Sequence, residues 1–104
     1  MANGFFYCEF KLKKGADEAE FLKAAKALND GYISKQPGYV SWRQVRDGDT
    51  WADMCMFETV QHARDFEANS TNPNDLALHF YSFINMPSCR ARFYDMAAMH
   101  GSPA

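Results

Sequence analysis

The sequence has no apolar run approaching the ~18 residues of a membrane span. It also has no basic stripe: 11 Lys and Arg are dispersed among 13 Asp and Glu, for a formal net charge of −2. The first absence argues against a helix in a membrane, and the second removes the electrostatic footprint of a nucleic-acid binder. The amino end, Met1-Ala2-Asn3-Gly4, lacks a positive stretch leading into an apolar one, so no secretory signal is expected. Cysteine is sparse. Cys8, Cys55 and Cys89 are odd in number and far apart, with no CxxC or HxxxH spacing beside them. Free thiols in a cytoplasmic protein are the expectation, with neither metal nor cofactor. Also missing are a Gly-rich phosphate loop, a Ser/His/Asp signature, a paired-carboxylate motif, an internal repeat and a linker. One domain over residues 1–104 is expected, with 97–104 a frayed tail.

What is present is a wealth of rings: nine Phe, five Tyr and two Trp in 104 residues. Rings bury much area each, and a chain of this size buries roughly two-thirds of its unfolded surface. The hydrophobic period then changes in an informative order. Phe6, Cys8, Phe10 and Leu12 alternate with Phe5, Tyr7, Glu9 and Lys11, which predicts a strand over Phe5 to Lys13. Asp17 and Glu20 form a capping box ahead of Phe21, Ala25, Leu28 and Tyr32 at helical spacing. Gly31 is a weak spot in that helix, and Pro37-Gly38 ends it.

Tyr39 to Arg46 and Trp51 to Glu58 read as strands joined across Asp47-Gly48-Asp49-Thr50. Either Asp47-Gly48 or Gly48-Asp49 can form the two-residue loop, and the second register is preferred. It is expected to send Val45, Ala52, Met54 and Met56 towards the helices, and Val40, Trp42, Gln44, Trp51, Asp53, Cys55 and Phe57 to the far face. Thr59 caps a second helix carrying Val60, Ala63 and Phe66, interrupted at Asn69 to Asn74 and renewed with Asn72 as its cap. Leu76, Phe80 and Phe83 follow, and Ser88 to Met96 is the last strand, with Arg90 and Arg92 as a solvated edge.

The order βαββαβ, with right-handed crossovers, predicts an α+β, ferredoxin-like protomer. Its four-stranded antiparallel sheet carries the helices on one face. The open face then presents Trp42, Trp51, Cys55 and Phe57, joined by Phe5 and Tyr7. A patch of that kind marks an interface, so a homodimer through the open sheet face is expected.

Three segments carry a family likeness: Phe10-Lys11-Leu12-Lys13-Lys14-Gly15, Gln36-Pro37-Gly38-Tyr39-Val40-Ser41-Trp42, and Met56-Phe57-Glu58-Thr59-Val60-Gln61-His62-Ala63. In order and spacing the chain resembles the antibiotic biosynthesis monooxygenase-like (ABM) group of dimeric α/β barrel proteins, over Phe5 to Asp95. The resemblance implies a sheet-to-sheet homodimer with a ligand cavity between sheet and helices. It also implies a cofactor-independent monooxygenase acting on a small aromatic. The alternative is a non-catalytic dimeric module that binds a small hydrophobic ligand. Phe57 stands where many members carry Trp. Positions matching the Asn, Trp and His of haem-degrading members hold Cys8, Phe66 and His79, which disfavours haem degradation.

His79 is the candidate catalytic base, because imidazole titrates near neutrality. Its plain alternative is a solvated place on the helix flank. Trp42, Gln44 and Asp53 are the candidate ligand-binding group, a ring wall with two polar groups. Equally, Trp42 reads as an interface anchor and Asp53 as a partner for Arg43 or Arg46. The three cysteines, on neighbouring strands, read as buried thiols.

Overall fold

Directly opposed residues of an antiparallel pair lie on the same side of the sheet, so one strand's buried face dictates its neighbour's. In the computed structural model, which describes residues 2–70 and 73–101, that rule organises the chain. Among these residues the elements run β1 (Gly4–Leu12), α1 (Glu18–Gly31), a 3₁₀ turn (Ile33–Lys35), β2 (Tyr39–Asp47), β3 (Thr50–Phe57), α2 (Val60–Asn69), α3 (Asp75–Tyr81) and β4 (Ile84–Asp95). The sheet is antiparallel throughout, in the order β2-β3-β1-β4. This is the α+β, ferredoxin-like arrangement expected from the sequence, with the second helical segment divided into α2 and α3.

The hairpin takes the Gly48-Asp49 loop, closing on the pair Asp47 and Thr50, with Gly48 at φ 61°. The faces, however, are the reverse of the expectation. Phe6 lies opposite Cys55, Cys8 opposite Asp53 and Phe10 opposite Trp51. The apolar side of β1 therefore carries the ring-bearing side of β3 with it, and both face the helices. Trp42 joins that side through its pairing with Cys55. The open face instead presents Phe5 opposite Met56, Tyr7 opposite Met54, and Ala52 opposite Val45. The reason lies in area: rings bury more than methionine or valine, and β1 has only one wholly apolar side.

The core follows from this. Phe10, Phe21 and Trp51 are almost wholly buried, and Phe21 packs edge-on against Trp51 and flat against Phe80, at centroid distances of 5.2 and 5.1 Å. A second cluster of Cys55, Phe57 and Ala63 lies under α2, where Phe57 meets Phe66 at 5.3 Å.

Capping chemistry sets the helix starts. Asp17 accepts from Glu20 N and Thr59 from His62 N. Asn74, rather than Asn72, caps α3 by accepting from Ala77 N at 2.8 Å; Asn72 lies outside the described residues. α1 ends at Gly31, and Ile33 reaches the core from the following 3₁₀ turn. Of the carboxy-terminal tail, residues 97–101 carry neither helix nor strand, and 102–104 lie outside the described residues. Among the described residues no helix is long and apolar enough to cross a membrane.

Candidate functional site

With the rings turned inward, they do not fill the space between sheet and helices. A cavity of about 290 Å³ remains there, at the small end of the range for ligand sites. Phe6, Phe10, Phe66 and Phe80 supply aromatic walls from β1, α2 and α3. Leu28 and Ile33 close it beneath α1, and Ile84 and Ala91 line it from β4. Glu67, Ser70 and Met86 lie at its rim, where Met86 is 49% exposed.

One charged group stands deep in this apolar space. Asp53 projects from β3, 7% exposed, between Cys55 on its own strand and Cys8 directly across on β1. Its Oδ1 accepts from Gln44 Nε2 at 3.1 Å. The arginines expected beside it lie elsewhere: Arg46 pairs with Glu18 and lies over the Trp51 ring at 5.3 Å, and Arg43 is opposite Met54 on the other face. Burial pushes the Asp53 carboxyl up to about 7, against smaller opposing effects from Gln44 and Trp42. Trp42 Nε1 is near enough to favour the anion, yet it is buried and completes no hydrogen bond of good geometry with protein atoms. The site thus holds a carboxyl poised near neutrality beside an unfilled indole donor.

The other expected residues are distributed as follows. Trp42 and Asp53 both line the cavity, and Gln44 stands behind Asp53 as its hydrogen-bond donor. His79 does not join them. It is exposed near the end of α3, its ring edge-on to Phe83 at 5.2 Å, and the cavity has no histidine among its described lining residues. Ala77 and Phe80, about one turn apart, face inward, and Leu78 and His79 between them face outward.

Sequence reasoning passed over Tyr81, Glu67 and the roles of Cys8 and Cys89 as wall residues. The signal for the cysteines was available, since Cys8 alternates with Phe6 and Phe10. Tyr81 and Glu67 carry no such signal, because a helix flank near a cavity looks like any other flank. Burial raises Tyr81, and it pushes Cys8 up to about 12. Among the described residues no group of three His, Cys, Asp or Glu is disposed to hold a metal ion.

No protein-family profile matches the sequence, and no curated protein does. Solved structures do match. A monooxygenase from the gene ActVA-Orf6 of Streptomyces coelicolor, in complex with the ligand Nanaomycin D, superposes with a TM-score of 0.69 at 18% identity, covering 97% of this chain and 94% of that one. A point variant of SnoaB, a cofactor-independent oxygenase from Streptomyces nogalater, gives 0.68 at 15% identity over 93% and 95%. A Bacillus cereus protein provisionally classed as an antibiotic biosynthesis monooxygenase gives 0.61 at 15% over 98% and 100%. The fold of this chain is that of the ABM-like proteins.

Proposed function

We propose that the protein is a cofactor-independent monooxygenase acting on a small quinol or anthrone-type aromatic, with Asp53 as the group that moves the proton. The observation that carries this reading is Asp53 itself: a carboxyl near pKa 7 in the wall of an apolar cavity. A base whose pKa lies near the working pH is both available as the anion and able to return its proton. That SnoaB and the ActVA-Orf6 protein, which share the fold, are oxygenases adds support.

The chemistry needs little else. The Asp53 carboxylate takes a proton from the activated C–H or O–H of the bound aromatic. The carbanion or phenolate so formed donates an electron to O₂, and the resulting radical pair combines at carbon to give a peroxide anion. Asp53 returns the proton to that oxygen. For a ring CH₂, loss of water from the hydroperoxide then leaves a carbonyl, so one O₂ yields one C=O and one H₂O. The apolar walls keep bulk water from the intermediates.

Oxygen uptake with a panel of quinols and anthrones tests this. Asp53→Asn is expected to lower kcat by about 100-fold or more. A loss confined to His79→Ala would return the base to the helix flank and overturn the assignment. Binding of the same aromatics with no oxygen uptake would leave the alternative, a non-catalytic binding module.

We further infer that two copies pair through the open sheet face. Support comes from Phe5, Tyr7, Val45, Met54, Met56 and Tyr94, which the helices leave uncovered. Three free thiols suit a reducing compartment, and we place the protein in the cytoplasm.

A further inference from the structure

The polar groups of the cavity wall share one sign. Six rings line the space: Phe6, Phe10, Trp42, Phe66, Phe80 and Tyr81. Two charged residues join them among the described lining, Asp53 deep on β3 and Glu67 at the rim on the last turn of α2, and both are acids. No lysine, arginine or histidine is among the described lining residues. A ring face is the negative pole of its quadrupole, so rings and carboxyls together favour positive charge in whatever enters.

Neither carboxyl is matched from within the described chain. Asp53 is 7% exposed; its Oδ1 accepts from Gln44, while Oδ2 accepts no hydrogen bond of good geometry from the described residues. That second oxygen is not sealed in. Among the described residues, the side-chain polar atom that is both shut away and without a hydrogen bond is Trp42 Nε1, so Oδ2 opens into the cavity that Asp53 lines. Glu67 is half-buried and forms no ion pair among the described residues, whose pairs lie on Lys11, Lys23, Lys26 and Arg46. Arg64, one turn back on α2, lies over the Phe93 ring at 4.8 Å. The wall thus holds an open acceptor at its inner end and a carboxylate without a counter-charge at its mouth.

We propose that the cavity selects by charge, taking phenols that carry a short cationic arm and rejecting those that carry an acid, with Glu67 as the specificity-determining residue. The inference rests on the reading of the cavity as an aromatic-binding site, and it narrows the quinols of that reading to ones bearing an alkylammonium group. The phenolic hydroxyl enters first and donates to Asp53 Oδ2. The ring packs among the aromatic walls, and the ammonium stays at the rim, held between Glu67 and water. A cation left half-hydrated there has a small desolvation cost, and nearby ring faces add to the attraction. An acid on the same arm would meet Glu67 with like charge and would find no cation in the described wall.

The test uses three phenols that differ in the arm alone: tyramine, 4-ethylphenol and 4-hydroxyphenylacetate. Their dissociation constants are measured by calorimetry on the full chain near neutral pH, at low and at high salt. Tyramine is expected to bind about fivefold tighter than 4-ethylphenol, an advantage that high salt removes, and 4-hydroxyphenylacetate about tenfold weaker or more. Glu67→Gln is expected to bring tyramine to the affinity of 4-ethylphenol while leaving 4-ethylphenol itself unchanged. Tyramine no tighter than 4-ethylphenol, the acid as tight as either, a tyramine advantage that survives in Glu67→Gln, or no binding of any of the three would each overturn the proposal. The ranking is measured on the unaltered chain, so it does not depend on a variant folding. The expected ranking without oxygen uptake from any quinol upholds charge selection while overturning the oxygenase reading. Oxygen uptake that ignores the charge of the arm overturns charge selection alone.

Discussion

Asp53 ties stability to pH as well as carrying the proposed chemistry. Its pKa rises from 3.8 to about 7 on folding because burial disfavours the charged form. The native state thus binds the proton more tightly than the unfolded one. The stabilisation from this carboxyl is complete below pH 3.8, declines as pH rises and is lost above about 7. That interval corresponds to at most ~4 kcal/mol. Asn mimics the protonated acid, so Asp53→Asn is expected to gain on the wild type by ~2–4 kcal/mol between pH 4 and pH 8 in urea melts. Parallel pH profiles for the two proteins would show that the carboxyl is not desolvated. That Trp42, Gln44 and Asp53 belong to one face was legible, because alternation along a strand is a strict period of two. The place of His79 was not, because Leu78, His79 and Phe80 occupy three different directions of a helix of only seven residues.

At the scale of elements, the sequence announces its breaks better than its contacts. The caps at Asp17 and Thr59, the weak Gly31 and the Gly48-Asp49 loop are local chemistry and were readable as such. Which side of the hairpin faces inward was not local, since it depends on the β1–β3 register across about forty residues of chain. Pairing Phe10 with Trp51 would have settled it, as both belong to one ring-rich set. Gly4 shows the same limit. It reads as the end of a tail, yet it is buried at the start of β1, and a Cβ there would lie 2.2 Å from Val60 backbone atoms at the first turn of α2. The absence of a side chain is what lets α2 approach β1 so closely. Gly4→Ala is therefore expected to cost about 3 kcal/mol or more, since backbone rather than a flexible side chain must move. A thermal melt within about 2 °C of the wild type would show that α2 does not rest on this residue.

At the scale of the molecule, the inverted hairpin changes which residues a partner would cover but leaves the argument for one intact. Of the rings expected outside, Trp42 lines the cavity, and Trp51 and Phe57 are buried in the core. In their place the open face offers Phe5 beside Met56, Tyr7 beside Met54, and Tyr94 edge-on to Tyr7 at 5.9 Å. Phe5, Tyr7, Met54 and Tyr94 border a groove of about 530 Å³ that runs on to Met96 and Ala98. Val45 and Tyr94 are nearly half exposed, at 48% and 47%. A contiguous apolar strip on a single sheet layer is the kind of surface that a two-fold partner buries with its own copy. Sedimentation at micromolar concentration is expected to return twice the 11.9 kDa of one chain. Met54 lies in the middle of the strip and faces away from the cavity, so Met54→Lys places two like charges in the contact without touching the site. That variant is expected to keep its far-ultraviolet circular dichroism while dimer affinity falls by about 100-fold or more. A wild-type chain that sediments as a single copy, or a Met54→Lys chain that still pairs, would mean that the open sheet face is not where two copies meet.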